Sequence, residues 1–360
     1  MTGIGIVGLG VISEQYLATL LSAPAVRIVA VADLDADRAR AVAERIPGCR
    51  ALASAQLFED PEVDVVLNLT VPAAHAEVAL AAIAQGKAVY GEKPLAATFA
   101  DAMRVMDAAA AAGVRVGAAP DTVLGTGLQT ARAAIDDGVI GAPTSAAAMW
   151  ISAGHEAWHP HPDFYYREGG GPLLDMGPYY VTALVQLLGP VESVSGAASR
   201  SRDERVIASG PRAGETIPVE VDTHLTGILQ HRSGAISTVT MSFDGVRSDA
   251  PPIEVHGTEG SLIVPDPNGF AGEVRVHPRG GEWDVLEPSA GFEDSGRGVG
   301  LIDFARGEGR ADGAMALHVL EVMSALSTSA RSGVREALST TVERPTRVPL
   351  TAASVWRARA

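Results

Sequence analysis

The fold is decided near the N-terminus by ten residues, Ile4-Gly5-Ile6-Val7-Gly8-Leu9-Gly10-Val11-Ile12-Ser13. The apolar run is typical of a buried strand that ends at Gly8, and the following residues lead into a helix predicted at Ser13–Ser22. Gly8 permits a tight turn, and Gly10 lets a pyrophosphate approach the backbone at the helix N-terminus. An ordinary tight turn can use the same glycines, but the strand–turn–helix context predicts a dinucleotide-binding site. Val11 and Ile12, between the glycines and this helix, are predicted to contact the cofactor together with Gly8 and Gly10.

Asp33 ends the second predicted strand, about 20 residues beyond the glycines. A carboxylate at that position hydrogen-bonds the adenosine ribose of NAD and repels the 2′-phosphate of NADP. The competing interpretation is that Asp33 is the N-cap of the following helix. Arg38 lies close in the sequence and softens the preference, so we predict NAD as the cofactor, with NADP as the alternative.

Strand and helix signals alternate over the first ~120 residues. The segments are Ile4–Gly8, Ser13–Ser22, Arg27–Ala32, Ala36–Arg45, Val63–Thr70, Ala74–Gln85, Ala88–Glu92, Phe99–Ala112 and Val114–Ala118. This succession predicts a parallel sheet with helices on both faces, which is the doubly wound class.

The pattern changes after Pro120. Helices are predicted at Gly125–Asp137, Leu174–Leu188 and Gly313–Arg331, and strands at Thr144–Ser152, Val191–Ala198, Val219–Gln230, Ala235–Phe243, Ile253–Val255, Ser261–Val264, Glu273–His277 and Glu282–Leu286. We therefore predict an α/β protein of two domains. Residues 1–120 form an N-terminal Rossmann dinucleotide-binding domain. Residues 121–360 form a C-terminal α/β domain with a large, open, mainly antiparallel sheet, for substrate binding and oligomerisation.

Two further strands of the first domain end in polar residues, where the carboxyl ends of parallel strands meet a ligand. After the strand Val63–Thr70, we predict that Thr70 and Pro72 line the cofactor. His75 caps the next helix or contacts this loop, unless it is a surface histidine. The next strand ends in Glu92-Lys93-Pro94, and Glu92 is assigned to the cofactor site with them.

Lys93 is the candidate catalytic residue of this loop. Among 28 basic residues, only Lys87 and Lys93 are lysines. Unlike arginine, a lysine can exchange protons near neutrality when burial lowers its pKa, and its ammonium can hydrogen-bond an alcohol or a developing alkoxide. Pro94 fixes the backbone beside it, with a cis bond as one option. Lys87 follows Gly86 in a predicted turn and is interpreted as a surface charge.

A second cluster, Gly169-Gly170-Gly171-Pro172-Leu173-Leu174-Asp175-Met176-Gly177-Pro178-Tyr179, opens the helix after the loop. Asp175 and Tyr179 are four residues apart, so a helix places them on one face. A phenol beside a carboxylate and an ammonium suits proton transfer with a hydroxyl, although such a pair is often structural.

The preceding loop, His155–Tyr166, mixes imidazoles, phenols and an indole, which suits contact with a sugar. Trp158, His159 and Tyr166 are the predicted substrate contacts. Its three histidines on a proline-broken loop do not predict a metal site, and we expect no metal.

Composition excludes several classes of protein. The formal charge is −15 without basic patches, which argues against nucleic acid and anionic membranes as partners. Apolar runs are too short to span a bilayer. Cys49 is the single cysteine, so an internal disulfide is excluded. The N-terminus shows no export signal, and we expect a cytoplasmic protein.

Across these motifs the chain resembles the glucose–fructose oxidoreductase/inositol dehydrogenase family, also written Gfo/Idh/MocA. The resemblance rests on the segments Gly8–Ser13, Thr70–His75, Gly91–Pro94, Gly169–Tyr179 and His256–Leu262, and it spans nearly the whole chain. It implies a Rossmann domain followed by an open-sheet domain, with the nicotinamide over Lys93. Asp175 is then the helix carboxylate. Tyr179 takes the proton-transfer position that is histidine in inositol dehydrogenases, which puts the inositol assignment in doubt.

The resulting hypothesis is an NAD(P)-dependent oxidoreductase that interconverts a secondary alcohol and a ketone on a sugar, a polyol or a related substrate. Lys93 and Tyr179 handle the proton, and Asp175 holds the arrangement. One alternative is a redox-neutral elimination, epimerisation or glycoside cleavage with bound NAD. Another is a non-catalytic dinucleotide-binding regulator. Because a broad sheet face is often buried by a partner, we expect a homodimer or homotetramer.

Overall fold

The computed structural model describes residues Met1–Arg357, which divide into two compact units. The first unit contains Met1–Gln129, Pro288–Leu320 and the described residues from Pro345 onward. The second unit contains Thr130–Glu287 and Glu321–Arg344. The prediction from the sequence assigned all of residues 121–360 to one domain. The chain instead returns twice to the first unit, at Pro288–Leu320 and again from Pro345 onward.

The first unit is built on a six-stranded sheet in the order β3-β2-β1-β4-β5-β6, and every neighbouring pair is parallel. Its strands are β1 (Thr2–Val7), β2 (Val26–Ala32), β3 (Arg50–Ala51), β4 (Val65–Asn68), β5 (Ala88–Gly91) and β6 (Val116–Ala118). Its connecting helices are α1 (Val11–Leu20), α2 (Ala36–Glu44), α3 (Ser54–Glu59), α4 (Pro72–Ala84) and α5 (Phe99–Ala112). The predicted Rossmann sheet is confirmed. Strand order reverses between β1 and β4, and this switch point is where doubly wound sheets bind ligands.

The return of the chain to the first unit has a physical cause at the sheet edge. Strand β6 is the last strand, and the N–H of Ala118 donates to the carbonyl of Ala311 at 3.2 Å. Asp121 is fully buried just beyond β6, and its carboxylate accepts the N–H groups of Gly298 (2.7 Å) and Gly300 (3.1 Å). Residues 288–320 therefore cover part of the β6 edge and satisfy the buried carboxylate just beyond it.

The second unit contains a nine-stranded sheet in the order β16-β15-β14-β13-β7-β12-β11-β8-β17. Helix α6 (Thr126–Asp136) precedes the sheet in the chain, and α7 (Pro172–Leu188) packs on it. The first strands of the unit are β7 (Pro143–Ile151), β8 (Val191–Ser199), β9 (Glu204–Val206), β10 (Thr216–Pro218), β11 (His224–His231) and β12 (Ile236–Ser242). Strands β13 (Ile253–Gly257), β14 (Gly260–Val264), β15 (Val274–Pro278) and β16 (Asp284–Leu286) follow. The last elements of the described chain are α8 (Val299–Ala305), α9 (Gly313–Ser332), β17 (Glu336–Ala337) and α10 (Ala353–Trp356).

All neighbouring strands of this sheet are antiparallel except β7 and β12, so the predicted open, mainly antiparallel sheet is confirmed. Strands β9 and β10 form a separate two-stranded ribbon. Helix α7 covers one face of the sheet and is buried along nearly its whole length; Leu174 and Asp175 are its partly exposed residues. The Asp175 carboxylate thus lies at the partly exposed start of a buried helix.

Candidate active site

The turn between β1 and α1 has the geometry that a diphosphate requires. Gly8 has a φ of 92°, and a Cβ there would lie 2.8 Å from the backbone of Leu69. A Cβ on Gly10 would meet no atom within 4 Å, so the space above this residue is open. Val11 is 91% exposed and Ile12 half-buried, and α1 begins without a side-chain cap on its free N–H groups. The residues present therefore fit a dinucleotide.

Asp33 is hydrogen-bonded to this same turn. Its Oδ2 accepts the N–H of Leu9 at 2.7 Å, while Oδ1 accepts the N–H of Asp35 at 2.9 Å and contacts Arg38 Nη1 at 3.2 Å. Burial alone raises the pKa of Asp33, but these hydrogen bonds and the Arg38 charge hold that pKa below its usual value. The helix N-cap is Asp35 rather than Asp33.

The loop that carries Lys93 is supported from inside the first unit. The Lys93–Pro94 peptide bond is cis. Glu92 is 8% exposed; its Oε1 accepts the hydroxyl of Tyr16 at 2.6 Å and its Oε2 accepts the N–H of Lys93 at 3.0 Å. Burial and the Glu92 charge raise the pKa of Tyr16 well above its ordinary value, so Tyr16 remains a donor. Both oxygens of Glu92 are thus used internally, and we reassign Glu92 from cofactor contact to support of the Lys93 loop.

His75 joins the two strand ends of this region. Its ring is buried, with Nδ1 2.6 Å from the carbonyl of Pro94 and Nε2 2.9 Å from the carbonyl of Thr70. Thr70 is itself held by Asn68, whose Oδ1 accepts the Thr70 hydroxyl at 2.6 Å. The surface alternative for His75 is therefore wrong, because its ring lies inside and contacts the predicted loop. Pro72 is exposed in the first turn of α4.

In the second unit, Asp175 and Tyr179 lie one helical turn apart on α7. Asp175 Oδ2 is 2.8 Å from His155 Nε2, a pairing that the sequence did not predict. Tyr179 is 4% exposed. A second phenol, Tyr165, is close enough to both that their charges, after burial, help to raise its pKa to about 12. Tyr165 therefore keeps its proton at neutral pH, and its hydroxyl can donate a hydrogen bond.

The aromatic side chains of the loop before α7 differ in their exposure to solvent. Trp158 is 59% exposed, and the ring of His159 lies between those of Trp158 and Tyr165, at 5.3 and 5.7 Å. Burial and the nearby His155 and His161 lower the pKa of His159, so its ring is neutral at physiological pH.

Tyr166 is placed differently from the prediction. Its side chain is fully buried in an apolar cluster, and its hydroxyl donates to Glu156. The ring has no surface to offer a substrate, so its assignment as a substrate contact is wrong. The neighbouring Tyr165 has the partly exposed position. Sequence reasoning missed Tyr165 and His155 because an irregular loop has no periodicity that separates inward from outward residues.

Residues 1–357 contain neither a cluster of side chains suited to a metal ion nor a membrane-spanning helix. No group of three or more His, Cys, Asp or Glu side chains is arranged to hold a metal ion within that range. None of the helices there combines the length and apolar character needed to cross a membrane.

Comparison with known proteins identifies the family to which the two domains belong. Residues 2–119 match the model of an oxidoreductase family with an NAD-binding Rossmann fold, and residues 128–263 match the GFO/IDH/MocA C-terminal domain. The 1,5-anhydro-D-fructose reductase of Ensifer adhaerens is 30% identical over 266 residues, covering 72% of this chain and 74% of that protein. The myo-inositol 2-dehydrogenase of Thermotoga maritima is 28% identical over 263 residues, with coverage of 72% and 74%.

The fold is shared with solved structures. An NAD-binding oxidoreductase from Klebsiella pneumoniae superposes with a TM-score of 0.80 at 23% identity, over 94% of this chain and 99% of that one. The glycine turn and the Lys93 loop lie within the residues that match the Rossmann-fold model. The helix that carries Asp175 and Tyr179 lies within the residues that match the C-terminal model. The chain therefore belongs to the GFO/IDH/MocA family and is an NAD(P)-dependent oxidoreductase.

Proposed function

We propose that the protein interconverts a secondary alcohol and a ketone on a sugar, a polyol or a related substrate. The observation that carries this proposal is the carboxylate–phenol pair Asp175 and Tyr179, one turn apart on α7, with the partly exposed phenol of Tyr165 beside them. The names of two relatives support it, because one is a reductase of 1,5-anhydro-D-fructose and the other a dehydrogenase of myo-inositol.

NAD, when bound, supplies the hydride acceptor or donor. The chain must then move the hydroxyl proton and stabilise the charge that develops on that oxygen. We assign proton transfer to Tyr179 and Lys93, whose phenol and ammonium are the groups suited to it. Asp175 sets the charge around the phenol. Trp158, His159 and Tyr165 pack on the apolar face of the sugar and bond its other hydroxyls.

The test is NADH formation on a panel of sugars, inositols and sugar acids, followed by single substitutions. Tyr179→Phe should lower kcat about 10²–10⁴-fold, because only the proton-carrying oxygen is removed. Lys93→Met should lower turnover at least as severely while NADH still binds, as measured by quenching of protein fluorescence.

The chain offers a matched control for each substitution. Tyr180 adjoins Tyr179, but its hydroxyl lies 3.2 Å from Asp266, and Lys87 is the other lysine, with Nζ bonded to the carbonyl of Asp60 at 2.8 Å. Tyr180→Phe and Lys87→Met should keep near-normal turnover. Near-normal turnover in Lys93→Met would remove Lys93 from the mechanism. Turnover without added NAD would instead indicate a redox-neutral reaction.

We also propose that the protein is a homo-oligomer whose interface is the sheet face opposite α7. On β7, β12 and β11 that face carries no Asp, Glu, Lys or Arg; its side chains are Ser145, Ala147, Met149, Ile151, His224, Thr226, Ile228, Gln230, Ile236, Thr238, Thr240 and Ser242. Ile228 and Ile236 are 48% and 45% exposed. In a chain of charge −15, copies repel one another over most of their surface. A flat, neutral and partly apolar face is where a second copy can approach most closely.

A further inference from the structure

His155 is a buried histidine whose ring reaches the carboxylate of α7. The residue is 6% exposed, and its Nε2 lies 2.8 Å from Asp175 Oδ2. Four aromatic rings surround the imidazole, with centroids at 4.1 Å (Tyr165), 4.8 Å (Phe243), 5.2 Å (Trp158) and 5.9 Å (Trp150). The one polar contact of the ring within the described residues is therefore the one with Asp175.

The contacts of the ring select one tautomer. A carboxylate only accepts hydrogen bonds, so Nε2 must carry the proton that joins the two residues. Nδ1 is buried and has no hydrogen-bond partner within residues 1–357. A proton on Nδ1 would be an unsatisfied buried donor, whereas a bare nitrogen there is tolerated among aromatic rings. The ring thus presents a single N–H to a single carboxylate oxygen.

The loop does not need this hydrogen bond to keep its shape. Arg205 is buried and bonds Glu156 Oε1 at 2.7 Å and the carbonyl of Ala153 at 3.0 Å, on either side of His155. The N–H of His155 is satisfied by the hydroxyl of Tyr166 at 3.1 Å. Because the backbone is fixed by these contacts, phenylalanine at position 155 would fill the same aromatic cluster. The presence of an imidazole rather than a phenyl ring at position 155 is explained by its hydrogen bond to the Asp175 carboxylate.

We propose that His155 is a positioning residue of the reaction, which fixes the Asp175 carboxylate in the orientation that proton transfer at Tyr179 requires. This inference rests on the proposed function. One N–H donor on Oδ2 restrains rotation of the carboxylate and keeps its negative charge at a constant distance from the phenol one turn along. His155 itself contacts neither the hydroxyl nor the hydride.

Two substitutions at position 155 separate a positioning role from a packing role. His155→Phe keeps an aromatic ring and removes the donor, while His155→Gln keeps an N–H at about the distance of Nε2 and removes the ring. His155→Phe should lower kcat about 10–100-fold with KM and the NADH dissociation constant nearly unchanged, as expected for one hydrogen bond to a charged group. His155→Gln should recover most of that loss, despite packing less well.

His231 supplies the matched control. It is a buried histidine of the same unit, with Nδ1 2.7 Å from the carbonyl of Gly189 and Nε2 2.8 Å from Ser237 Oγ. His231→Gln should lower the melting temperature and leave kcat of the folded enzyme unchanged. If His155→Gln and His155→Phe lose kcat equally, in proportion to lost stability, then packing explains His155 and the inference is wrong.

Asp175→Asn distinguishes failure of this inference from failure of the proposed function. If Asp175→Asn leaves kcat unchanged, Asp175 has no part in the reaction and the proposed function itself must be revised. If Asp175→Asn lowers kcat but His155→Phe does not, only the inference fails. If both act through one contact, the double variant should lose no more than Asp175→Asn alone.

The tautomer gives a second readout that needs no substrate. With histidine labelled by an NMR-active nitrogen isotope, the signals that vanish in His155→Phe identify His155. They should show the proton on Nε2, and Asp175→Asn should shift them by weakening the acceptor. A proton on Nδ1, or signals unaffected by Asp175→Asn, would overturn the proposal even if no substrate in the panel is turned over.

Discussion

At the end of β2, the carboxylate of Asp33 is hydrogen-bonded within the first unit before any cofactor is considered. One oxygen holds the N–H of Leu9 in the glycine turn, and the other shares Arg38 with Asp35. Its side chain is only 9% exposed. The residue therefore shapes the glycine turn and stays ionised, and it presents a negative charge at the end of β2, where we propose that the adenosine ribose binds.

We expect Asp33→Ser to shift cofactor preference toward NADP. The substitution removes the charge that repels a 2′-phosphate and releases Arg38 to bond it. The ratio of kcat/KM for NAD over NADP should fall at least about tenfold, equivalent to ~1.4 kcal/mol. Asp35→Ser removes a neighbouring charge from an N-cap and should leave that ratio nearly constant. An unchanged ratio in Asp33→Ser would show that Asp33 acts only through the turn.

Residue types at fixed offsets from a glycine turn or a helix start could be identified from the sequence. Gly8, Gly10 and Asp33 follow a pattern that the backbone imposes, and Asp175 and Tyr179 follow the helical repeat. Which neighbour in an irregular loop faces inward could not be identified. Tyr166 rather than Tyr165 is buried because its hydroxyl donates to Glu156, which also bonds Arg205. Arg205 lies 39 residues further along the chain than Tyr166, on β9.

Among the secondary-structure elements, long periodic segments were predictable and short ones were not. Helix α7 begins at Pro172 instead of the predicted Leu174, and α9 ends one residue beyond the predicted Arg331. The two-residue strand β3, the six-residue helix α3 and the β9–β10 ribbon were missed. Such elements are too short for a repeat to be recognised, and their strands form through partners distant in sequence.

The sheet face opposite α7, on β7, β12 and β11, leads to a prediction about oligomerisation. Thr238 is exposed between Ala147 and Ile228 on the adjacent strands. Thr238→Arg would bury an unpaired charge in each copy at the proposed interface, which is strongly unfavourable. Size-exclusion chromatography with light scattering should show an oligomer of the 37.1 kDa chain for the wild type and a monomer for the variant. Ala110→Arg, on an exposed position of α5, is the control. A monomeric wild type would contradict the proposal.

For the whole molecule, the buried carboxyl of Asp121 links stability to pH. Burial raises the pKa of Asp121 to about 6, against the opposing charge of Arg297 and the Gly298 and Gly300 N–H groups. The folded protein therefore holds this proton more tightly than the unfolded chain does. The stabilising contribution is fully present below about pH 4 and is lost as pH rises through about 6.

Asp121→Asn should remove this dependence, since the amide mimics the protonated carboxyl. Relative to the wild type, the variant should gain roughly 2–3 kcal/mol in free energy of unfolding between pH 4 and pH 7. Urea titrations at both pH values measure this change. Asp107→Asn, which removes an exposed carboxylate from α5, should show no such trend. A difference between Asp121→Asn and the wild type that is independent of pH would contradict this assignment.

The division of the chain between two units has a consequence for biosynthesis. A ribosome releases residues in order, and domains tend to fold as they emerge. Here the first unit needs Pro288–Leu320 and residues from Pro345 onward, and the second needs Glu321–Arg344. A nascent chain that has emerged only as far as Glu287 holds every strand of the first sheet and every strand of the second except β17, yet neither unit is whole. Neither unit can therefore complete its folding until the segments beyond Pro288 have emerged from the ribosome.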